Sequence, residues 1–136
     1  MAFQNPSDET IREVLGAPRT VAVVGCSPNP DRDSHRIAKL LQAKGHRVIP
    51  VNPGHRDMLG ETCYRSLPEI PDPIDIVDIF RRSEHVAPIV DDAIAVGAKI
   101  VWMQLGVIDE TAAAKAQQAG LLVVMDRCPA IEYRKG

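Results

Sequence analysis

Five short apolar runs rich in β-branched residues recur along this chain, at residues 21–24, 48–51, 74–80, 99–103 and 121–125, and segments of helical periodicity alternate with them. Strands joined through helices need crossover connections, and crossovers bring parallel strands together. The first, second and last runs are apolar continuously rather than at every other residue, the pattern of strands covered on both faces. The chain is therefore expected to build an α/β fold around a mostly parallel sheet.

Caps and periodicity place the helices. Ser7 serves as an N-cap, Ile11, Val14 and Leu15 share one face, and Gly16 with Pro18 ends that helix. A second helix is expected over residues 34–44, with Ile37, Leu40 and Leu41 inward and Gly45 at its C-terminal stop. Val86, Ile89, Val90, Ala93 and Ile94 repeat at helical spacing up to Gly97, with a regular start expected at Pro88. Asp109 caps a last helix of mostly alanine that ends at Gly120. Together these elements specify a Rossmann-like, doubly wound, five-stranded, mostly parallel sheet with helices on both faces, in a single domain over residues 1–136.

The longest irregular stretch, residues 53–73, is rich in proline and leads away from the second strand. Loops of that length in compact domains are often functional, and this one leaves from the edge where such sheets open their ligand crevice.

Composition narrows the partners. The 136 residues are 45% hydrophobic and 25% charged, and no apolar run approaches the ~20 residues that cross a bilayer. The opening Met1-Ala2-Phe3-Gln4-Asn5-Pro6 lacks the basic and apolar regions of a secretion signal, so a cytoplasmic protein is expected. Cys26, Cys63 and Cys128 form neither a disulfide framework nor a metal spacing, and read as reduced thiols. Although the net charge is −2, residues 32–56 hold six basic residues against one acid, which leaves −7 for the rest. That distribution argues against nucleic acid and for a local basic rim suited to a small polyanion, with a solvated helix face as the alternative.

Two turns carry the chemistry. Gly25-Cys26-Ser27-Pro28 follows the first strand and leads to Ser34, so backbone N–H groups of a helix start and two hydroxyls can face phosphate oxygens. The spacing is neither G-x-G-x-x-G nor a Walker loop, which disfavours hydrolysis of a nucleoside triphosphate. At the second turn, Val51-Asn52-Pro53-Gly54, an amide stands where a dinucleotide site carries a ribose-gripping acid, and His55 and Arg56 follow. Asn52 can hydrogen-bond a ribose or an adenine edge without repelling a phosphorylated ribose. A plain strand-to-helix turn and a Pro-Gly strand end are the structural alternatives.

Five segments in order, Gly25-Cys26-Ser27, Val51-Asn52-Pro53, Asp75-Ile76-Val77-Asp78-Ile79-Phe80-Arg81, Trp102-Met103-Gln104-Leu105-Gly106 and Asp126-Arg127-Cys128, resemble the stand-alone bacterial CoA-binding domain proteins. The resemblance covers residues 19–133 and extends, more distantly, to the N-terminal CoA-binding domain of the succinyl-CoA synthetase alpha subunit. It implies that Gly25, Cys26 and Ser27 lie along the CoA phosphates, that Pro53 flanks the adenosine end, and that Phe80 and Arg81 border the pantetheine path. His55 stands where the synthetase-like domains offer a lysine, so the phosphate partner becomes Arg56 or Arg36.

The resemblance implies a non-catalytic binding or regulatory module for CoA or a short acyl-CoA. The alternatives are an NAD(P)-binding oxidoreductase, or the CoA-binding subunit of an acid–CoA ligase whose catalytic domain lies on another chain. A protein partner is compatible with either. His35, His46, His55 and His85 show no spacing for a metal or for a nucleophile and base, and no catalytic or metal-binding residue is assigned. Asp75 and Asp78, three apart in a strand, point to opposite faces and read as strand-end or packing groups rather than a dyad. Trp102 reads as core, and Gln104 either satisfies backbone or faces the ligand mouth. Cys26, expected near a helix N-terminus that lowers a thiol pKa, or Cys128, is a candidate for a mixed disulfide with CoA.

Overall fold

The computed structural model describes residues 3–135, so Met1 and Ala2, which open the N-terminal reading, and Gly136 lie outside the described residues. α1 (Asp8–Gly16) precedes β1 (Thr20–Val24), α2 (Asp33–Ala43) and β2 (Arg47–Val51). A small hairpin, β3 (Asp57–Met58) and β4 (Glu61–Thr62), then leads to β5 (Ile76–Ile79), α3 (Val86–Ala95), β6 (Ile100–Gln104), α4 (Glu110–Gln118), β7 (Leu122–Arg127) and α5 (Pro129–Lys135). The main sheet has the order β2-β1-β5-β6-β7 with every neighbouring pair parallel.

Strand alternation splits the core into two layers. Ala22, Val24, Val77, Ile79, Val101 and Met103 pack against α3 and α4, where Ala112, Ala113 and Ala116 let α4 lie close. Val21, Val23, Ile76, Ile100 and Trp102 pack on the other face against α1 and α2. The chain moves outward from β1 to β2, then returns to β5 on the opposite side of β1. The crevice that follows from this reversal opens beyond the carboxyl ends of β1 and β5.

The expected caps form. The Ser7 hydroxyl accepts from the Thr10 N–H at 3.2 Å, and the Asp109 carboxylate accepts from the Ala112 N–H at 2.9 Å. Both free sheet edges are engaged. Asn5 donates to the Met125 carbonyl and accepts from the Met125 N–H, both at 2.8 Å, while Tyr64 runs beside Val51 at the β2 edge.

The structure departs from expectation at four places. α2 spans Asp33–Ala43 rather than 34–44, and its first-turn Ser34 turns back to the preceding loop, accepting from the Ser27 N–H. α3 begins at Val86, so Pro88 falls in the first turn, where its missing N–H costs nothing. The 53–73 segment contains the β3–β4 hairpin, whose turn uses Leu59 and Gly60, both at positive φ. Leucine is not the asparagine or aspartate that marks such a turn in a sequence. Finally, the alanine helix is not the last, because α5 follows β7 and buries Pro129 and Glu132. No helix among the described residues is long and apolar enough to cross a membrane.

Candidate ligand site at the strand reversal

β1 ends in a turn that admits only glycine. Gly25 has φ +85°, and its N–H donates to the Val51 carbonyl at 2.9 Å while the Val24 carbonyl accepts from the Phe80 N–H. A Cβ added there would lie 2.5 Å from the Phe80 carbonyl oxygen, nearer than any side chain tolerates. The first turn is therefore wedged between the ends of β2 and β5.

Beyond it, the loop is fastened to the start of α2. The Ser27 N–H donates to the Ser34 hydroxyl at 3.0 Å, and the Ser27 hydroxyl accepts from the Asn29 N–H at 3.1 Å. Each hydroxyl keeps its proton to donate. His35 is drawn in through Nδ1, 3.0 Å from the Ser27 carbonyl, so that nitrogen carries hydrogen. Gly25, Ser27, Ser34, Asn52 and Phe80 together line a cavity of about 570 Å³ over the α2 N-terminus, joined by Asp31, Arg32 and Asp33. Asp33 forms an ion pair with Arg36, which offsets its charge.

Asn52 fastens the second turn to the first. Its Nδ2 donates to the Cys26 carbonyl and its Oδ1 accepts from the Gly54 N–H, each at 2.9 Å. One N–H and one lone pair remain for any other partner.

Three more cavities extend along the same sheet edge. Val24, Val51, Pro53, Leu67 and Ile89, with Arg65 and Arg81, line a mainly apolar slot of about 260 Å³. Pro53, His55 and Arg56 meet Arg65 and Cys63 in a basic recess beside β2. Arg36 lies in neither, and faces Phe80, Arg81, Gln104, Cys128 and Arg134 on the far side of Phe80. The two candidate phosphate partners, Arg36 and Arg56, thus stand in separate cavities. Pro28 is exposed and lines none of them. Arg65 and Arg134 escaped the sequence reading because isolated arginines in a loop and a short helix carry no motif.

The expected reactive thiol at Cys26 is corrected. Its side chain is fully buried, and burial, with smaller effects from Cys63 and Asp78, pushes the thiol up to about 12. A helix N-terminus activates only a thiol that solvent can reach. Cys128 is half-buried and lines the Arg36 cavity. Asp75 is the strand-end group expected, accepting from the Thr20 N–H at 2.9 Å. Asp78 is buried with both carboxylate oxygens unpartnered, and burial raises its pKa well above the usual carboxylate range. Trp102 is core, with Nε1 donating to the Arg127 carbonyl at 2.9 Å.

A parallel sheet whose crevice lies at a strand reversal, with a glycine turn and a helix N-terminus facing it, defines the Rossmann-like class of nucleotide-binding domains. The chain belongs to the CoA binding domain family, whose model matches residues 19–134. It is 42% identical over 126 residues to the uncharacterized protein YneT of Bacillus subtilis, covering 93% of each chain. A hypothetical protein from Pyrococcus horikoshii superposes with a TM-score of 0.91 at 40% identity, over 99% of this chain and 98% of that one. An 80-residue stretch is 35% identical to an ADP-forming acetate–CoA ligase of Archaeoglobus fulgidus, covering 59% of this chain and 12% of the ligase. The family read from the five segments and the doubly wound fold are both borne out.

Proposed function

We propose that the protein binds CoA or a short acyl-CoA in the cytoplasm as a non-catalytic binding or regulatory module, built as one domain over residues 1–136. The observation that carries this reading is the order of cavities along one sheet edge: basic recess, apolar slot, then the turn over α2. CoA carries three matching groups as substituents of one ribose, a 3′-phosphate, an adenine and a 5′-pyrophosphate. Arg56, Arg65 and His55 meet the 3′-phosphate, and Val51 and Pro53 flank the adenine. Gly25, Ser27 and Ser34 hold the pyrophosphate with first-turn N–H groups of α2, and Phe80 and Arg81 border the pantetheine arm.

A second reading, the CoA-binding subunit of an acid–CoA ligase completed by another chain, draws on the likeness to part of the acetate–CoA ligase. An NAD site is disfavoured, since Asn52 stands where the carboxylate that grips the ribose diol would be. Thermal unfolding with CoA, NAD, NADP and ATP side by side is the test. A ligand at ~100 times its Kd adds about 2.7 kcal/mol, so CoA should raise the melting temperature most. A larger rise with NAD overturns the assignment.

A further inference from the structure

We infer that the cavity at the carboxyl ends of β5 and β6, beside α5, receives the acyl group of an anionic acyl-CoA, a thioester whose far end carries a carboxylate. The inference rests on the CoA reading above and names the ligand class within it.

The charge of the cavity is the first ground. Arg36, Arg81, Arg82 and Arg134 line it against a single acid, Asp33, which pairs with Arg36. Among the described residues Arg81 and Arg134 have no ion pair, and Arg82 comes only within 3.9 Å of Glu84. Planar guanidinium donors suit a carboxylate, which accepts two parallel N–H bonds from each fork.

Gln104 supplies the second. It is 6% exposed and lines the cavity, yet its Oε1 has no hydrogen-bond partner. An acceptor held in that state is costly unless an N–H reaches it. Oε1 itself is shielded from solvent, so the side chain must turn into the cavity to meet the amide N–H groups that the pantetheine arm carries on the way to its sulfur. Phe80, Val107 and Ile131 provide apolar wall for the methylenes between amide and carboxylate.

Continuity is the third. Phe80 and Asp33 line both this cavity and the phosphate cavity, and Arg81 lines both this cavity and the apolar slot. Since Arg56 and Arg65 stand at the opposite end, the arginines here are not needed for the 3′-phosphate.

The test is calorimetric titration of the intact protein with CoA, butyryl-CoA and succinyl-CoA, the last two differing by a terminal methyl against a carboxylate. Succinyl-CoA should bind about tenfold tighter than butyryl-CoA, the range of one charge-assisted hydrogen bond. Arg81→Gln and Arg134→Gln, both at exposed positions, should each bring that ratio to about twofold or less, whereas Arg12→Gln on α1 should keep it. Equal affinities with CoA still bound, or a ratio unmoved in both variants, overturns the inference and leaves the CoA reading standing. Failure of CoA itself to bind overturns both.

Discussion

The side-chain amide of Asn52 donates to the backbone carbonyl of Cys26 across 2.9 Å, so the two turns that face the crevice are one hydrogen-bonded unit. Asn52→Asp replaces that donor with an acceptor aimed at a carbonyl oxygen. We expect a loss of about 1–3 kcal/mol in urea unfolding, the cost of breaking a part-buried hydrogen bond and leaving its carbonyl unpaired, together with weaker CoA binding. Unchanged stability would show that the turns hold without this tie.

Gly25→Ala and Gly45→Ala form a matched pair. Both glycines have positive φ, but a Cβ at Gly25 meets the Phe80 carbonyl at 2.5 Å whereas nothing lies within 4 Å at Gly45. Gly45→Ala should cost about 1–2 kcal/mol, the left-handed backbone term alone. Gly25→Ala should cost clearly more and displace Phe80. Equal losses would refute the close approach.

His46 gives the stability profile an acid limb. Its Nδ1 accepts the Arg19 N–H at 3.1 Å, and Nε2 faces the Leu15 carbonyl and the Tyr133 hydroxyl, so the ring is held neutral. Burial, with the nearby Arg19 charge, lowers its pKa below 6.5 against an opposing pull from the Leu15 carbonyl. The unfolded chain then takes up more protons than the fold below about pH 6.5. Stability is complete above that value and is lost as pH falls through the folded pKa, by up to ~1.4 kcal/mol per pH unit. His46→Gln should flatten this limb in unfolding curves taken from pH 8 to pH 5.

Asp78 acts with the opposite sign. Burial raises its folded pKa far above the ordinary carboxylate value, so the fold binds a proton that the unfolded chain releases. Its contribution declines as pH rises from about 4 and levels off above the folded pKa, at roughly 1.4 kcal/mol for each pH unit crossed. Asp78→Asn, uncharged at every pH, should therefore be more stable than the parent at pH 8, with the difference shrinking toward pH 4. A constant difference would mean the carboxyl does not titrate in that window.

The thiols should separate in a kinetic labelling experiment. Cys26 and Cys63 are buried with raised pKa values, and Cys128 is partly accessible. Ellman's reagent should label Cys128 first in the folded protein and reach the other two only on unfolding. Rapid labelling of Cys26 would contradict its burial.

Much of the fold was legible because the strands carry continuous apolar, β-branched runs, and Ser7, Asp109 and Gly45 punctuate the helices. α5 was not, since it spans only seven residues and one of its two buried positions is Glu132, a residue type that normally marks surface. The β3–β4 hairpin was hidden by Leu59 at its turn. At the candidate site, Gly25 and the α2 start could be read locally. The engagement of Asn52 could not, because its partner is a backbone carbonyl 26 residues away, invisible to any side-chain pattern. Cys26 misled for a related reason: adjacency to a helix start says nothing about depth.

Asn5 presents one carboxamide to both backbone groups of Met125 on the outer side of β7. A single side chain thus imitates the hydrogen-bonding rung of a sixth strand without adding one. An unpaired edge strand is a template for recruiting another chain, and this one is occupied where its ladder would otherwise continue. Growth of the sheet into aggregates is blocked at that rung by a residue far from the crevice.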